Sequence, residues 1–216
     1  GVRLVGSEMC IRDRFDVDAL ASTRPIEFPV VTPQDAEGMF DLLTYEKGAS
    51  VVRMLEQYLG AEVFRDGVRQ YLDTHSYANT ETTDLWASLE TVSGQPVQSL
   101  MHDWIYQGGH PIITATATPH GLRVEQRAFT LDPNVADDRT WSVPLVIRHN
   151  GEITSALLTE GSMLLTGITG TPTTVNAGAA GFFRTAIDEA ILADLEASGP
   201  GDRTPTERHG LVDDAW

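Results

Sequence analysis

Apolar residues along the chain follow two different periods, and the change between them falls at Pro111. From Thr32 to Gln107 the spacing is helical. Thr32-Pro33 reads as a helix start, with proline at the first helical position and the acids Asp35 and Glu37 in the opening turns. Val51, Val52, Leu55, Tyr58 and Leu59 recur at steps of three and four, which predicts one buried stripe. Gly60 is expected to stop that helix in a left-handed conformation. Ala61 then opens the next, with Val63, Phe64, Val68, Tyr71 and Leu72 as its apolar positions. Thr82 or Thr83 is the expected cap of a short helix holding Leu85, Trp86 and Leu89 and ended by Gly94. Pro96 begins another, carrying Val97, Leu100, Met101, Trp104 and Ile105 until Gly108-Gly109 stops it. Four or five antiparallel helices joined by short turns result.

Beyond Pro111 the period is two. Ile113, Ala115 and Ala117 alternate with Thr114, Thr116 and Thr118, the spacing of a half-buried strand. Pro119-His120-Gly121 is a turn, and residues 122–129 alternate again. Residues 131–140 read as a polar loop. Residues 141–147 and 152–158 flank Asn150-Gly151, a strong hairpin signal. Short strands at 163–165 and 173–176 complete the set. From Thr185 the positions Ile187, Ala190, Ile191 and Leu195 return to helical spacing, ending near Gly199-Pro200. The fold class is therefore α+β. Helices occupy 15–111, a small antiparallel β-sandwich 112–184, and the beginning of a second helical part 185–216.

Composition narrows the function. The 216 residues carry 15 Lys and Arg against 31 Asp and Glu, a net charge of −16. Such a balance argues against nucleic acid as a partner, since phosphate backbones need clustered Lys and Arg, and it disfavours an anionic membrane surface. No run approaches the ~18 apolar residues of a membrane span. The single Cys rules out an internal disulfide framework and any multi-cysteine zinc site, and points to a reducing, cytoplasmic compartment. That Cys lies in Glu8-Met9-Cys10-Ile11-Arg12-Asp13-Arg14. This run resembles the translation of a transposase adaptor end, so 1–14 is expected to be a non-native leader. It has neither the apolar core nor the cleavage site of a secretory signal. Both ends of the chain read as truncations.

Spacing alone completes no active site. His75, His102, His110, His120, His149 and His209 include no His-Glu-x-x-His pair, and no nucleophile elbow, phosphate loop or dinucleotide fingerprint is present. His102-Asp103 could orient an imidazole, but its helical neighbours are apolar. Asp137-Asp138 and Asp213-Asp214 read as solvated loop acids. One segment stands apart, residues 40–50 (FDLLTYEKGAS). Gly48 and Ala49, early in a helix, are expected to admit another backbone closely. Tyr45 sits where one helical pattern breaks and the next begins, a place from which a side chain can project into a cleft. Read from composition alone, it is a tyrosine packing a helix junction.

That segment resembles the tyrosine motif of the zinc-dependent aminopeptidase N and puromycin-sensitive aminopeptidase family, the gluzincin aminopeptidases. The likeness extends upstream to Asp18-Ala19-Leu20-Ala21-Ser22-Thr23-Arg24-Pro25-Ile26. Downstream it takes in Thr83-Asp84-Leu85-Trp86, Ser93-Gly94-Gln95-Pro96-Val97, Gln107-Gly108-Gly109-His110-Pro111, Trp141-Ser142-Val143-Pro144-Leu145 and 207–216. It implies that 15–111 is the C-terminal helical part of a thermolysin-like catalytic domain, and that 185–216 opens a C-terminal helical domain. The family's zinc ligands, general base and amine-recognition segment lie upstream of the matched region, so zinc is implied for a longer parent and no ligand is expected in this chain. In the family, a zinc-activated water attacks the carbonyl next to a free amino terminus, so the implied partners are peptides with a free N-terminus. Tyr45 aligns with the family's catalytic tyrosine. A phenol, with an ordinary pKa near ~10, stays protonated at neutral pH and can donate to the oxyanion formed in that attack. Its hydroxyl is then expected to face an open groove. Glu46 and Lys47 complete the motif as helix-start charges of structural use. The resemblance leaves one alternative: a non-catalytic scaffold of helices and sandwich that has lost its zinc site. Helices parted from the rest of their domain should also expose apolar faces.

Overall fold

The computed structural model describes residues 15–41, 43–132, 137–169, 173–199, 201 and 203–214. The expected leader at 1–14 and the middle of the 131–140 loop lie outside them. Among the described residues, the order is helices, strands and helices. Helix α1, Pro33–Gly38, begins as the sequence predicts: the Thr32 side chain accepts from the Asp35 N–H while the Asp35 carboxylate accepts from the Thr32 N–H. A π-helical turn, Leu43–Lys47, runs directly into α2, Gly48–Leu59. Next come α3 (Ala61–Thr74), α4 (Thr82–Ser93) and α5 (Val97–Ile105).

The buried stripe of α2 is Val51, Met54 and Leu55, with Val52, Tyr58 and Leu59 half-buried beside it. On α3 the pattern is weaker than its apolar spacing suggests. Leu72 is exposed, and the residue of α3 that is buried is Gly67. The reason is close packing: a Cβ at Gly67 would lie 2.6 Å from Leu89 Cδ2 and 3.1 Å from Leu89 Cα, so α3 and α4 meet across a missing side chain. The close approach expected at Gly48 is absent, because the nearest atom to a Cβ there is Ile26 Cγ2 at 4.0 Å. Glu81, not Thr82 or Thr83, caps α4, in a reciprocal pair with Asp84. Gly94 ends that helix in the left-handed region, whereas Gly60 has positive φ with an extended ψ of 143°. Helix α5 follows expectation, all five of its predicted apolar residues being buried.

Strands β1 (Pro111–Thr118), β2 (Gly121–Ala128), β3 (Val143–His149), β4 (Glu152–Leu158), β5 (Ser162–Thr166), β6 (Thr173–Thr174) and β7 (Arg184–Ile187) form two sheets, ordered β5-β2-β1-β7 and β4-β3-β6. The β3–β4 hairpin turns at Asn150 and Gly151, both with positive φ, as that dipeptide predicts. Ile113, Ala115, Leu122 and Val124 of one sheet and Val143, Leu145 and Ile147 of the other are buried. Ala117, near the open end of β1, is exposed.

The sandwich is not wholly antiparallel, because β7 runs parallel to β1 with Ile112 opposite Arg184 and Ala115 opposite Ile187. Helical structure does not begin at Thr185 either. Asp188 accepts from the Ile191 N–H and caps α6, Glu189–Ala197, so Thr185 and Ile187 belong to the sheet. A final helix, α7, spans Pro205–Asp214. Its buried Glu207 accepts from the Gly178 and Thr204 N–H groups and from Arg148, pinning α7 to the sandwich.

Helices and sheets share one core. Trp104 Nε1 donates to the Ser142 carbonyl at 2.9 Å, and Asp103 Oδ2 accepts from both the amide and the hydroxyl of Ser142. Phe182 stacks on Phe15 with ring centroids 4.7 Å apart and meets Trp104 edge-on. Exposed apolar side chains, among them Val31, Phe40 and Leu72, remain on the helical side.

Candidate active-site tyrosine and its buried anchor

Tyr45 lies at the centre of the π-helical turn, with Leu43 and Lys47 buried to either side. A π turn carries one residue more than an α turn, which shifts the faces that successive side chains occupy and recurs at functional positions. Here the shift buries Leu43 and Lys47 and leaves Tyr45 facing outward, 59% exposed. Its amide donates to the Asp41 carbonyl at 3.2 Å, and its ring stands 6.3 Å from that of Phe40, itself exposed. The helix break expected at Tyr45 is therefore present, and the ring is not sealed in an apolar interior. Nor does it line the cavity of about 490 Å³ between β7, α6 and α7. That cavity, walled by Ile112, Ile187, Leu195 and Leu211, belongs to the opposite end of the chain.

The turn is held from both sides by charged residues of the segment preceding α1. Arg24 Nη2 lies 2.7 Å from Asp41 Oδ1 and donates to Thr44 Oγ1 at 3.1 Å and to the Gly38 carbonyl at 2.9 Å. Asp41 Oδ1 in turn accepts from the Thr44 N–H. On the other side, Lys47 is wholly buried. Its ammonium sits 2.9 Å from Asp18 Oδ2, 3.2 Å from Asp18 Oδ1 and 2.9 Å from the Gly109 carbonyl. Asp18 Oδ1 also accepts from the Thr23 hydroxyl and the Gly109 N–H. His110 closes the cluster, Nδ1 lying 3.5 Å from Asp18 Oδ2 and its ring packed among Phe15, Phe129 and Phe182.

Electrostatics explain why charges survive there. Burial opposes ionisation of Asp18, but His110, Lys47 and Thr23 outweigh it and hold the carboxyl well below the usual carboxylate range. Burial pushes the Lys47 ammonium down and Asp18 partly restores it. Burial likewise lowers His110, which favours the neutral imidazole.

Other sequence candidates land elsewhere. His102 is exposed, with Nδ1 3.8 Å from Asp103, whose carboxylate is engaged with Ser142. Asp137 is not simply solvated: it pairs with Arg139, which donates to the Gly108 carbonyl and so ties the 131–140 loop to the end of the helical part. Asp214 packs against the Thr185 hydroxyl, and burial raises its carboxyl to about 6. Sequence reading did not single out Arg24, Asp18 or His110 individually. They appear in the family-like stretches, but the partners that matter most are far off in sequence, Arg24 meeting Asp41 and Asp18 meeting Lys47, Gly109 and His110, beyond any local spacing.

Residues 6–104 match the family described as Peptidase family M1 domain. Aminopeptidase M1 of Arabidopsis thaliana is 34% identical, covering 93% of this chain and 25% of the relative. Tricorn protease-interacting factor F2 of Thermoplasma acidophilum is 35% identical over 92% of this chain and 24% of the relative. Aminopeptidase M1-A of Oryza sativa subsp. japonica is 32% identical over 94% and 24%. The chain belongs to the M1 peptidase family. It spans about a quarter of the length of the curated M1 relatives it matches.

M1 peptidases are zinc-dependent, so the described residues can be tested for a zinc site. They do not fit one. Among them no three His, Cys, Asp or Glu side chains converge to hold a metal. The buried pair of Asp18 and His110 already has the Lys47 ammonium seated against its carboxylate. Among the described residues, too, no helix is long and apolar enough to cross a membrane.

Proposed function

We propose that this chain is part of an M1 aminopeptidase that removes N-terminal residues from peptides in the cytoplasm, and that Tyr45 is its oxyanion donor. Peptides with a free amino terminus are the substrates. The observation that carries the reading is the placement of Tyr45: an outward phenol on a π-helical turn whose flanking residues are buried or ion-paired. Attack on a peptide carbonyl places negative charge on its oxygen. A phenolic hydroxyl held in position donates a hydrogen bond to that oxygen and gains strength as the charge develops, which lowers the barrier without tightening the ground state. Binding of the metal that M1 chemistry uses is assigned to residues other than those described. The part played by this chain is hydrogen bonding and positioning. Alone, the 216 residues should therefore hydrolyse no aminoacyl reporter.

The test is Tyr45→Phe in the full-length enzyme. Removing one preorganised oxyanion donor costs roughly 3 kcal/mol, about a hundredfold in kcat. KM should stay nearly constant, because the lost interaction is made in the transition state. An unchanged kcat would remove Tyr45 from the chemistry.

A further inference from the structure

We propose that Lys47 and Arg24 are positioning residues that aim the Tyr45 hydroxyl, acting through the π-helical turn; the inference rests on Tyr45 being the oxyanion donor. A π turn is a less regular hydrogen-bonded element than the α-helix it feeds, and it persists where its surroundings hold it. Here the hold is applied at the residue immediately before Tyr45 and at the residue two beyond it. Thr44 is gripped through its side-chain oxygen by Arg24, which also grips Asp41, the residue whose carbonyl accepts the Tyr45 amide. Lys47 is gripped by Asp18 and by the backbone carbonyl of Gly109, in the linker between α5 and β1. Both counter-groups, Asp18 and Arg24, come from one upstream segment, which the Thr23–Asp18 hydrogen bond braces internally.

Neither side chain is explained by packing alone. A methionine would fill the space of Lys47 without a desolvated charge, and charged residues are almost never fully buried unless paired. An ammonium with three donors, however, can fix a direction that a thioether cannot: it ties the turn to two separate backbone segments at once. Arg24 does the same on the other side with a planar fork. Between them the turn has little freedom to rotate, and the ring it presents is the exposed Tyr45.

The test is a pair of double-mutant cycles in the full-length aminopeptidase, read with a panel of aminoacyl-p-nitroanilides. The expected result is that Lys47→Met lowers kcat at least tenfold and Arg24→Gln three- to tenfold, each with KM within twofold of the parent. In a Tyr45→Phe background the same substitutions should change kcat by less than twofold, because a phenol that is gone cannot be misaimed. A merely structural role would lower kcat equally in both backgrounds, and that additivity would overturn the proposal while leaving the Tyr45 assignment intact. If Tyr45→Phe alone leaves kcat unchanged, the assignment and the proposal fall together. Should Lys47→Met fail to fold, the Arg24→Gln cycle decides alone, since Arg24 is partly exposed and its loss leaves no sealed charge behind.

Discussion

Two glycines nineteen positions apart on neighbouring helices, Gly48 and Gly67, should respond oppositely to the same substitution. Replacing a helical glycine by alanine removes backbone freedom from the unfolded chain and stabilises by roughly 0.4–1 kcal/mol when the new methyl has room. At Gly48 it has room, the nearest atom being Ile26 Cγ2 at 4.0 Å. At Gly67 it does not. Leu89 Cδ2, at 2.6 Å, can swing aside, but Leu89 Cα, at 3.1 Å, is backbone, so α3 and α4 must part by a few tenths of an ångström. Overpacking of that kind costs about 1–3 kcal/mol, which exceeds the helical gain. Gly48→Ala should therefore stabilise by about 0.5 kcal/mol and Gly67→Ala destabilise by about 1 kcal/mol. In a domain of this size each kcal/mol moves Tm by roughly 2–4 °C. Urea unfolding followed by tryptophan fluorescence gives the sign directly, as a change in midpoint at constant slope. A destabilised Gly48→Ala would mean that a second backbone does approach there, and an unaffected Gly67→Ala would mean that α3 and α4 are not in van der Waals contact at that point.

Three further outcomes follow from the same geometry. Lys47→Met strands a buried Asp18 carboxylate and should cost roughly 3–5 kcal/mol, whereas Asp18→Asn combined with Lys47→Met removes both charges and should cost less than the single change; chemical denaturation of the variants measures it. Asp214 is raised to about 6 by burial, so between about pH 4 and that value the folded chain keeps a proton the unfolded chain has lost, and stability falls as pH rises through the window. Asp214→Asn should flatten that part of the pH–stability curve and stabilise the chain near neutral pH by up to about 3 kcal/mol, which thermal melts from pH 4 to 8 would read. Metal analysis of the purified 216-residue chain should find no stoichiometric zinc, and one equivalent would overturn the placement of the ligands elsewhere.

Local signals in the sequence reached the elements that depend on local forces. The proline-led start of α5, the helix start at Thr32-Pro33, and the Asn150-Gly151 turn are each settled within a few residues, and each stands where the pattern puts it. What escaped is tertiary. Strand β7 reads as helix because Ile187 continues in step with Ala190, Ile191 and Leu195; only Asp188, as a cap, marks the break, and only pairing with β1 some 70 residues earlier makes Thr185 and Ile187 a strand. Gly67 carries no local mark of close packing, and the small residue that does draw the eye, Gly48, has only Ile26 Cγ2 near the place a Cβ would take, at 4.0 Å. The tyrosine's position at a helix break was legible from the disrupted period. Its supports were not: Lys47 looks like any helix-start charge until the fold brings Asp18, 29 residues away, against it. The tie that Arg139, paired locally with Asp137, makes to the Gly108 carbonyl 31 residues back is equally invisible to spacing.

The claim on which the functional reading turns is that Tyr45 recognises a tetrahedral oxyanion rather than a bound peptide. A phosphinic dipeptide, whose phosphoryl oxygen imitates that charge, separates the two when its inhibition constant is measured on the full-length enzyme beside that of a product amino acid. Tyr45→Phe should weaken the phosphinic inhibitor about a hundredfold and leave the product constant within twofold. Equal changes in both constants, or no change in either, would contradict the account.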